Sequence, residues 1–447
     1  MKLGQITGVL MAAAIVLSGI TTTGVDAAEP CEDSSKCSTE QINDVDEGET
    51  GLEDITETLG ISQASDDSEN DGLRTSGWHQ ESNGKWRYYE NNSPVIGWKK
   101  ISGNWYYFDD PSGYMHTGWL SYHNNWYYFI PNASSSHYGQ MVTGWKKITV
   151  SGVQHWYYFN AGGVMVKGWK TISNYTYFFN NDGEFVESTR RAIIITDKFD
   201  NDHTSDLDID GWNGCLTNLA FRGNTVVTPH VLHAPSYAEF RNKLSTVMSG
   251  AEDSDITYLC ITCQGLESGS IMLSPTTKID GDNLRYELSK YNGKVILFLS
   301  FDYSGLVIQE EEGTGRSVND NSRARASEEQ FLSAFTDETR SGELLGDKFV
   351  VICACNEGET LVTHPYNEDP SMHYGCANRC WMTAGGYDPL YLGRLETMYA
   401  DYNDDSIVTL DELSTYSDSN IPHQNQHVVV HSADEYFTIF ARTYNAN

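Results

Sequence analysis

A chain of 447 residues with 62 acidic against 29 basic side chains carries a formal net charge of −33 at pH 7. That balance argues against nucleic acid and anionic bilayers as partners. Nine cysteines are an odd count, so at least one thiol stays outside any intrachain disulfide.

Residues 1–28 have the build of a secretory signal. Lys2 gives a positive start, residues 9–20 form an apolar run too short to span a bilayer, and Val25-Asp26-Ala27-Ala28 offers small residues for cleavage. The expectation is a secreted protein with no transmembrane span. Residues 29–75 hold fifteen Asp or Glu against Lys36 and Arg74, the composition of an acidic, disordered stalk. Within it, Cys31 and Cys37 could close a small disulfide loop or remain two thiols.

Between Gly77 and Glu187 the sequence repeats itself. Gly-Trp recurs with indoles at Trp78, Trp98, Trp119, Trp145 and Trp169. Each is followed by an aromatic cluster: WRYY from Trp86, WYYF from Trp105, Trp126 and Trp156, and YTYFF from Tyr175. Most clusters run into an Asn or Asp turn with Gly and often Met, as in Asp109-Asp110-Pro111-Ser112-Gly113-Tyr114-Met115. A period of roughly twenty residues over 76–188 predicts an all-β solenoid of stacked hairpins. Strand alternation sends one set of rings inward and leaves another on the surface, where adjacent repeats converge into cages. Such cages hold quaternary ammonium by cation–π attraction of about 0.5–2 kcal/mol per contact, and flat aromatic faces equally stack on sugar rings.

This array resembles the choline-binding or cell-wall-binding repeats of Gram-positive surface proteins. The resemblance implies ligand binding by Trp78, Trp86, Trp98, Trp105, Trp119, Trp126, Trp145, Trp156 and Trp169, with Met115, Met141 and Met165 nearby. The implied partner is choline-bearing teichoic acid or another cell-wall glycan, and the implied location is the cell wall. The second and third aromatics of each cluster are expected to pack the solenoid. Repeats with long inserts, such as residues 130–140, are expected to lose their site.

From residue 189 onward the composition becomes that of an ordinary α/β domain. Residues 191–196 read as a first strand, 213–221 and 236–249 as helices, 283–291 as a crossover helix and 348–354 as a further buried strand. Two runs carry the most information: residues 255–265 (DITYLCITCQG) and 294–305 (KVILFLSFDYSG) are β-rich and apolar and end in small polar turns. Both read as central strands of a parallel sheet whose C-terminal tips sit side by side, where such folds place chemistry. Cys260, Cys263, Cys353 and Cys355 lie in strand-like runs and read as core thiols; Cys376 with Cys380 is a faint zinc candidate. Residues 310–328 read as an exposed polar linker.

The two tips, Thr262-Cys263-Gln264-Gly265 and Ser300-Phe301-Asp302-Tyr303-Ser304-Gly305, resemble those of caspase-like cysteine peptidases of the clostripain and legumain-like branch. The resemblance places the family's general base at Gln264 and its thiol nucleophile at Asp302. An amide does not relay protons and a carboxylate is a poor acyl acceptor, so the expected domain is a pseudo-peptidase that binds peptide or protein in its cleft without cutting. Alternation along the strand points Cys263 away from the face of Gln264. The alternatives are an active endopeptidase with an unusual catalytic set, for which Asp302, Tyr303 and Ser304 are candidates, and a pure wall-binding adhesion protein.

Asp401, Asn403, Asp405, Ile407, Thr409 and Glu412 occupy positions 1, 3, 5, 7, 9 and 12 of an EF-hand-type calcium loop. Helix-like sequence flanks it on both sides. Ile407 would contribute its carbonyl and Glu412 both carboxylate oxygens, while Ser406 replaces the usual glycine and makes the turn less comfortable. Structural calcium is the cofactor expected.

Overall fold

The computed structural model describes residues 76–196, 204–221, 227–266, 270–302, 348–354, 363–365, 373–391, 393–421, 428–432 and 434–442. The leader, the acidic stretch, Cys31, Cys37, Cys355 and the linker at 310–328 lie outside them, as do the side chains of Gln264, Phe301 and Asp302. The chain forms two compact units. One holds the described residues up to Gly144 together with Phe159–Met165, and the other holds Trp145–Tyr158 and residues from Val166 on.

The first unit is built from three aromatic hairpins: Gly77–Gln80 with Trp86–Glu90, Gly97–Ile101 with Asn104–Phe108, and Gly118–Tyr122 with Asn125–Phe129. Two-residue turns at Ser102-Gly103 and His123-Asn124 have positive φ at both positions, the primed turn whose twist suits a tight hairpin. Gly-Trp lies opposite the end of the aromatic cluster: Trp98 faces Tyr107 and Trp119 faces Tyr128 across their ladders. Each Gly-Trp indole then packs on the next hairpin. Trp78 lies 4.9 Å from Tyr106 and 5.7 Å from Phe108, and Trp98 lies 4.8 Å from Tyr127 and 5.7 Å from Phe129. The expected stacking of hairpins is present, with Tyr106, Phe108, Tyr127 and Phe129 buried.

The second unit takes in the last part of the repeats together with the residues from 189 on. Trp145 packs 4.8 Å from Tyr177 and 5.5 Å from Phe179 in the hairpin Gly168–Ile172 with Tyr175–Phe179. Tyr175, Tyr177 and Phe179 belong to the same buried cluster as the α/β sheet. That sheet contains β1 (Arg190–Thr196), β2 (Pro229–His233), β3 (Ile256–Leu266), β4 (Ser270–Ser274), β5 (Thr277–Asp280), β6 (Lys294–Asp302), β7 (Phe349–Cys353) and β8 (Val429–His431). Its order is β2-β1-β3-β6-β7-β8, with β4 and β5 as a side hairpin on β3. The first five strands of that order run parallel and β8 antiparallel.

Helices α1 (Thr204–Thr217), α2 (Tyr237–Met248), α3 (Gly281–Leu288), α4 (Cys376–Ala384) and α5 (Leu410–Asn420) accompany the sheet. Helix α2 starts with a reciprocal box between Ser236 and Glu239, which satisfies two orphan amide donors. Trp212 of α1 and Trp381 of α4 enclose Phe298 of β6 at 4.7 and 5.3 Å. Phe440 stacks on Phe298 at 5.8 Å, with planes 6° apart.

Two sequence expectations are corrected. Helix α1 covers residues 204–217, not 213–221: the acidic run at Asp206, Asp208 and Asp210 forms its first half, with Asp208 tucked into the interior at 1% exposure and bonded to Asn378. The segment entering the calcium-type loop is not helical. Gly385 and Gly386 close α4, and a short ladder pairing Tyr387 with Arg394 leaves too few residues before Asp401 to wind one.

Gly163 (φ +77) lies where a Cβ would come within 2.3 Å of the Met141 sulfur. Gly163→Ala therefore meets both left-handed strain and overlap. It is expected to destabilise the first unit by about 2 kcal/mol in urea unfolding followed by near-UV dichroism, and an unchanged midpoint would refute this packing.

Candidate functional site

The aromatic cages take shape from the hairpin register. In four repeats the Gly-Trp indole stands nearly square to the cluster indole: Trp78 to Trp86 at 6.4 Å and 83°, and Trp98 to Trp105 at 6.4 Å and 85°. Trp119 meets Trp126 at 6.2 Å and 86°, and Trp145 meets Trp156 at 6.3 Å and 88°. These are paired walls at a right angle. A methionine from further along the chain is anchored beside three of them by its amide, which donates to the carbonyl of the cluster tryptophan. The pairs are Met115 to Trp86 at 2.7 Å, Met141 to Trp105 at 2.8 Å and Met165 to Trp126 at 2.8 Å. At the second cage Tyr122 adds a further wall, 5.7 Å from Trp98 and inclined 81°.

The long insert does not dismantle its repeat. The Gly139 amide donates to Ile130 O, and the Ile130 amide to Gln140 O. The loop therefore closes on itself and delivers Met141 to Trp105. Two cages carry a protein cation against their cluster indole: Lys100 Nζ lies 5.9 Å from the Trp105 centroid and Lys147 Nζ 5.7 Å from Trp156.

The fifth repeat departs from the pattern at Trp169. Read from the end of the ladder, where Phe179 faces Gly168, the residue in the cluster-tryptophan slot is Thr176. Thr176 instead exchanges hydrogen bonds with Thr438 of β9 (Thr438–Ala441). The Thr176 amide donates to Thr438 Oγ1 and the Thr438 amide to Thr176 Oγ1, both at 2.8 Å. Thr171 Oγ1 donates to Asp434 at 2.8 Å. Trp169 packs 5.7 Å from Phe437, and the ammonium facing both rings is that of Lys294, 5.7 Å from Trp169 and 4.8 Å from Phe437. The last hairpin thus presents to the α/β core the surface that the others present as a cage.

At the sheet, β3 and β6 are parallel neighbours, and Gln264 is the direct register partner of Asp302. Two residues before them, Thr262 pairs with Ser300, whose buried hydroxyl has no hydrogen-bond partner. Thr262 accepts from Asn378 Nδ2 at 3.0 Å. The same amide donates to Asp208 at 2.8 Å, and Trp212 Nε1 donates to Asn378 Oδ1 at 3.2 Å. This buried network ties α1 and α4 to the end of β3, and no sequence motif announces it. Cys263 is buried. Burial pushes the Cys215 thiol up to about 12, Cys376 to about 11 and Cys380 to about 12, and raises Cys260 well above its ordinary value. Each of these four behaves as a neutral core group.

The loop at 401–412 is folded around its own oxygens. Asp401 accepts from the amides of Asp405 and Ser406, Asn403 from Asp405, and Asp405 Oδ1 from Ile407. Ser406 has φ +65, the left-handed position its sequence slot predicts. Glu412 Oε2 accepts from the amide and hydroxyl of Thr409, which caps α5. Burial raises the Asp401 and Glu412 carboxyls; hydrogen bonds oppose this, and the charges of Asp405 with Asp404, or of Asp405 with Asp401, add to it. Asn174, in the turn of the last repeat, donates to Asp405 Oδ2 at 3.0 Å. Among the described residues no three His, Cys, Asp or Glu side chains converge in metal-holding geometry, so Cys376 and Cys380 have no zinc partners there. The calcium-type set would depend on Asn403, Thr409 and the Ile407 carbonyl beside its carboxylates.

Residues 95–133 and 142–189 match the choline-binding repeat family, and this part of the chain consists of choline-binding repeats. Among curated proteins, glucosyltransferase-S of Streptococcus mutans is 29% identical over 122 residues, covering 26% of this chain and 7% of that enzyme. Among solved structures, CbpJ of Streptococcus pneumoniae is 36% identical over 26% of this chain and 36% of that one, with a TM-score of 0.22. The choline-complexed endolysin of the pneumococcal phage Cp-1 is 36% identical over 27% and 34%, with a TM-score of 0.20. The chain thus spans about a third of these two solved structures and 7% of the curated enzyme.

Replacing Thr176 by Val leaves the buried amide of Thr438 without an acceptor, a cost of about 1–3 kcal/mol. The variant is expected to unfold its α/β unit at lower denaturant while binding the same number of small-molecule ligands as the parent. A loss of ligand stoichiometry by calorimetry would overturn the reassignment of the fifth repeat.

Proposed function

We propose that the chain is a secreted, cell-wall-associated protein of a Gram-positive bacterium whose repeats hold choline-bearing wall polymer. The observation that carries this reading is the fourfold recurrence of paired indoles at a right angle. Such a corner offers two negative π faces to one trimethylammonium group, whose charge is spread and weakly hydrated. The acidic balance of the chain adds long-range attraction for a cation. The competing ligand is a glucan, whose rings stack on flat indoles; the match to a glucosyltransferase keeps it as the comparison.

The α/β domain, in this proposal, has the caspase-like arrangement, with Gln264 and Asp302 at the positions of a lost base and thiol. The in-register pairing of the two tips supports that arrangement. An amide at Gln264 and a carboxylate at Asp302 favour a domain that binds peptide or protein over one that cuts, since neither supplies the thiolate or imidazole of a cysteine peptidase. We assign calcium to the 401–412 loop as a structural ion: Asp401, Asn403, Asp405, the Ile407 carbonyl, Thr409 and Glu412 would hold it. It would neutralise carboxylates whose charges now raise one another.

Three measurements test these parts. The mature protein is expected to stay on an immobilised-choline column and elute with free choline, and Trp105→Ala with Trp126→Ala to weaken retention; elution by dextran but not choline would transfer the site to glucans. A mixed peptide library is expected to survive the native protein and to be cut after Gln264→His with Asp302→Cys, whereas cutting by the native chain would restore the active-peptidase reading. Chelation should lower the melting temperature of the α/β unit and added calcium restore it. Glu412→Gln should abolish the response, and a chelator-insensitive melt would remove the ion.

A further inference from the structure

The cage at Trp145 and Trp156 differs from the others in one wall and in what stands behind it. Met115, Met141 and Met165 bridge to Phe108, Phe129 and Phe159. In the corresponding place, opposite Phe179, the chain has Phe185. Phe185 meets Trp145 at 5.9 Å and 90°, so two rings, Trp156 and Phe185, stand square to Trp145. Trp156 is 42% exposed, and Trp145 and Phe185 are half-buried. Where a thioether supplies polarisable contact, a phenyl ring supplies another π face for a cation.

Behind the cage stands the α/β core. Phe185 packs on Tyr177 at 5.7 Å and Phe179 at 6.3 Å, and both lie in one buried cluster with Ile193, Tyr258, Phe298 and Phe440. Thr176, next to Tyr177, carries the exchange with Thr438. The walls of the other three cages, Trp78 with Trp86, Trp98 with Trp105 and Trp119 with Trp126, all lie in the first compact unit.

We propose that the corner of Trp145, Trp156 and Phe185 is a quaternary-ammonium site built into the α/β unit, so that a choline group bound there stabilises the α/β domain itself. This rests on the ammonium-binding reading above. A ligand that binds the folded state alone stabilises whatever unit must be folded to form its site. Occupation of this cage is therefore linked to the order of β1, β3 and β6, while occupation of the other three is linked to the first unit.

Hydrogen exchange followed by mass spectrometry on the whole mature chain, in choline chloride against sodium chloride of equal ionic strength, tests the link. Amides of β3 that exchange through global opening of the unit are expected to slow about 100-fold at a choline concentration 100 times the dissociation constant. Trp156→Ala should remove that slowing, Phe185→Met should reduce it, and Trp126→Ala should leave it intact. The ratio between the two salts is the readout, so a baseline change in stability in any variant cancels. Choline that alters indole fluorescence without slowing β3 overturns the inference alone, as does full slowing in Trp156→Ala. No fluorescence response to choline overturns the ammonium reading together with it.

Discussion

The indole of each of the first four Gly-Trp pairs, wedged on the buried rings of the following hairpin, is the contact on which the rest depends. No hairpin here has a core of its own: a two-stranded ribbon is marginal in water, and these become stable by lending a tryptophan to the next. That arrangement uses one face of the indole for cohesion and leaves the cluster tryptophan beside it half-exposed and fixed in angle. Packing and recognition are two outcomes of one geometry. A ligand wall that is also a structural wedge has its orientation settled before any ligand arrives, which lowers the ordering cost of binding.

The last hairpin shows what becomes of that geometry when the neighbour is not another repeat. Thr176 replaces a bulky indole with a donor and acceptor matched to Thr438, and Trp169 faces Phe437 and the ammonium of Lys294 instead of solvent. The cation set against these two rings is a lysine of the chain itself. The calcium-type loop borders the same region through Asn174 and Asp405, so the loop, β9 and the last repeat share one set of contacts.

Much of this was legible in the sequence, for identifiable reasons. Gly-Trp and WYYF recur at fixed spacing, which determines hairpin register, and the uninterrupted apolar runs of β3 and β6 announce buried parallel strands with adjacent tips. Thr176 was hidden because YTYFF reads naturally from its first aromatic, Tyr175, whereas the ladder counts back from Phe179. Helix α1 was hidden because its acidic first half resembles a loop, and the interior demand for Asp208 comes from Asn378, a residue 170 positions away. The oxygen spacing of the calcium-type loop depends on local sequence and was readable. The missing entry helix depends on Tyr387 pairing with Arg394, which no periodicity encodes.

The compact unit of the α/β sheet begins at Trp145, ahead of the compositional change at residue 189, and this bears on how such a gene can be recombined. A fusion joined at the compositional seam would deprive the sheet of Tyr175, Tyr177 and Phe179 and leave Thr438 and Lys294 facing water. A join that keeps these contacts must carry at least the last hairpin along with the domain. The last hairpin, through Thr171, Thr176 and Trp169, is thereby inherited with the domain rather than with the repeats it resembles.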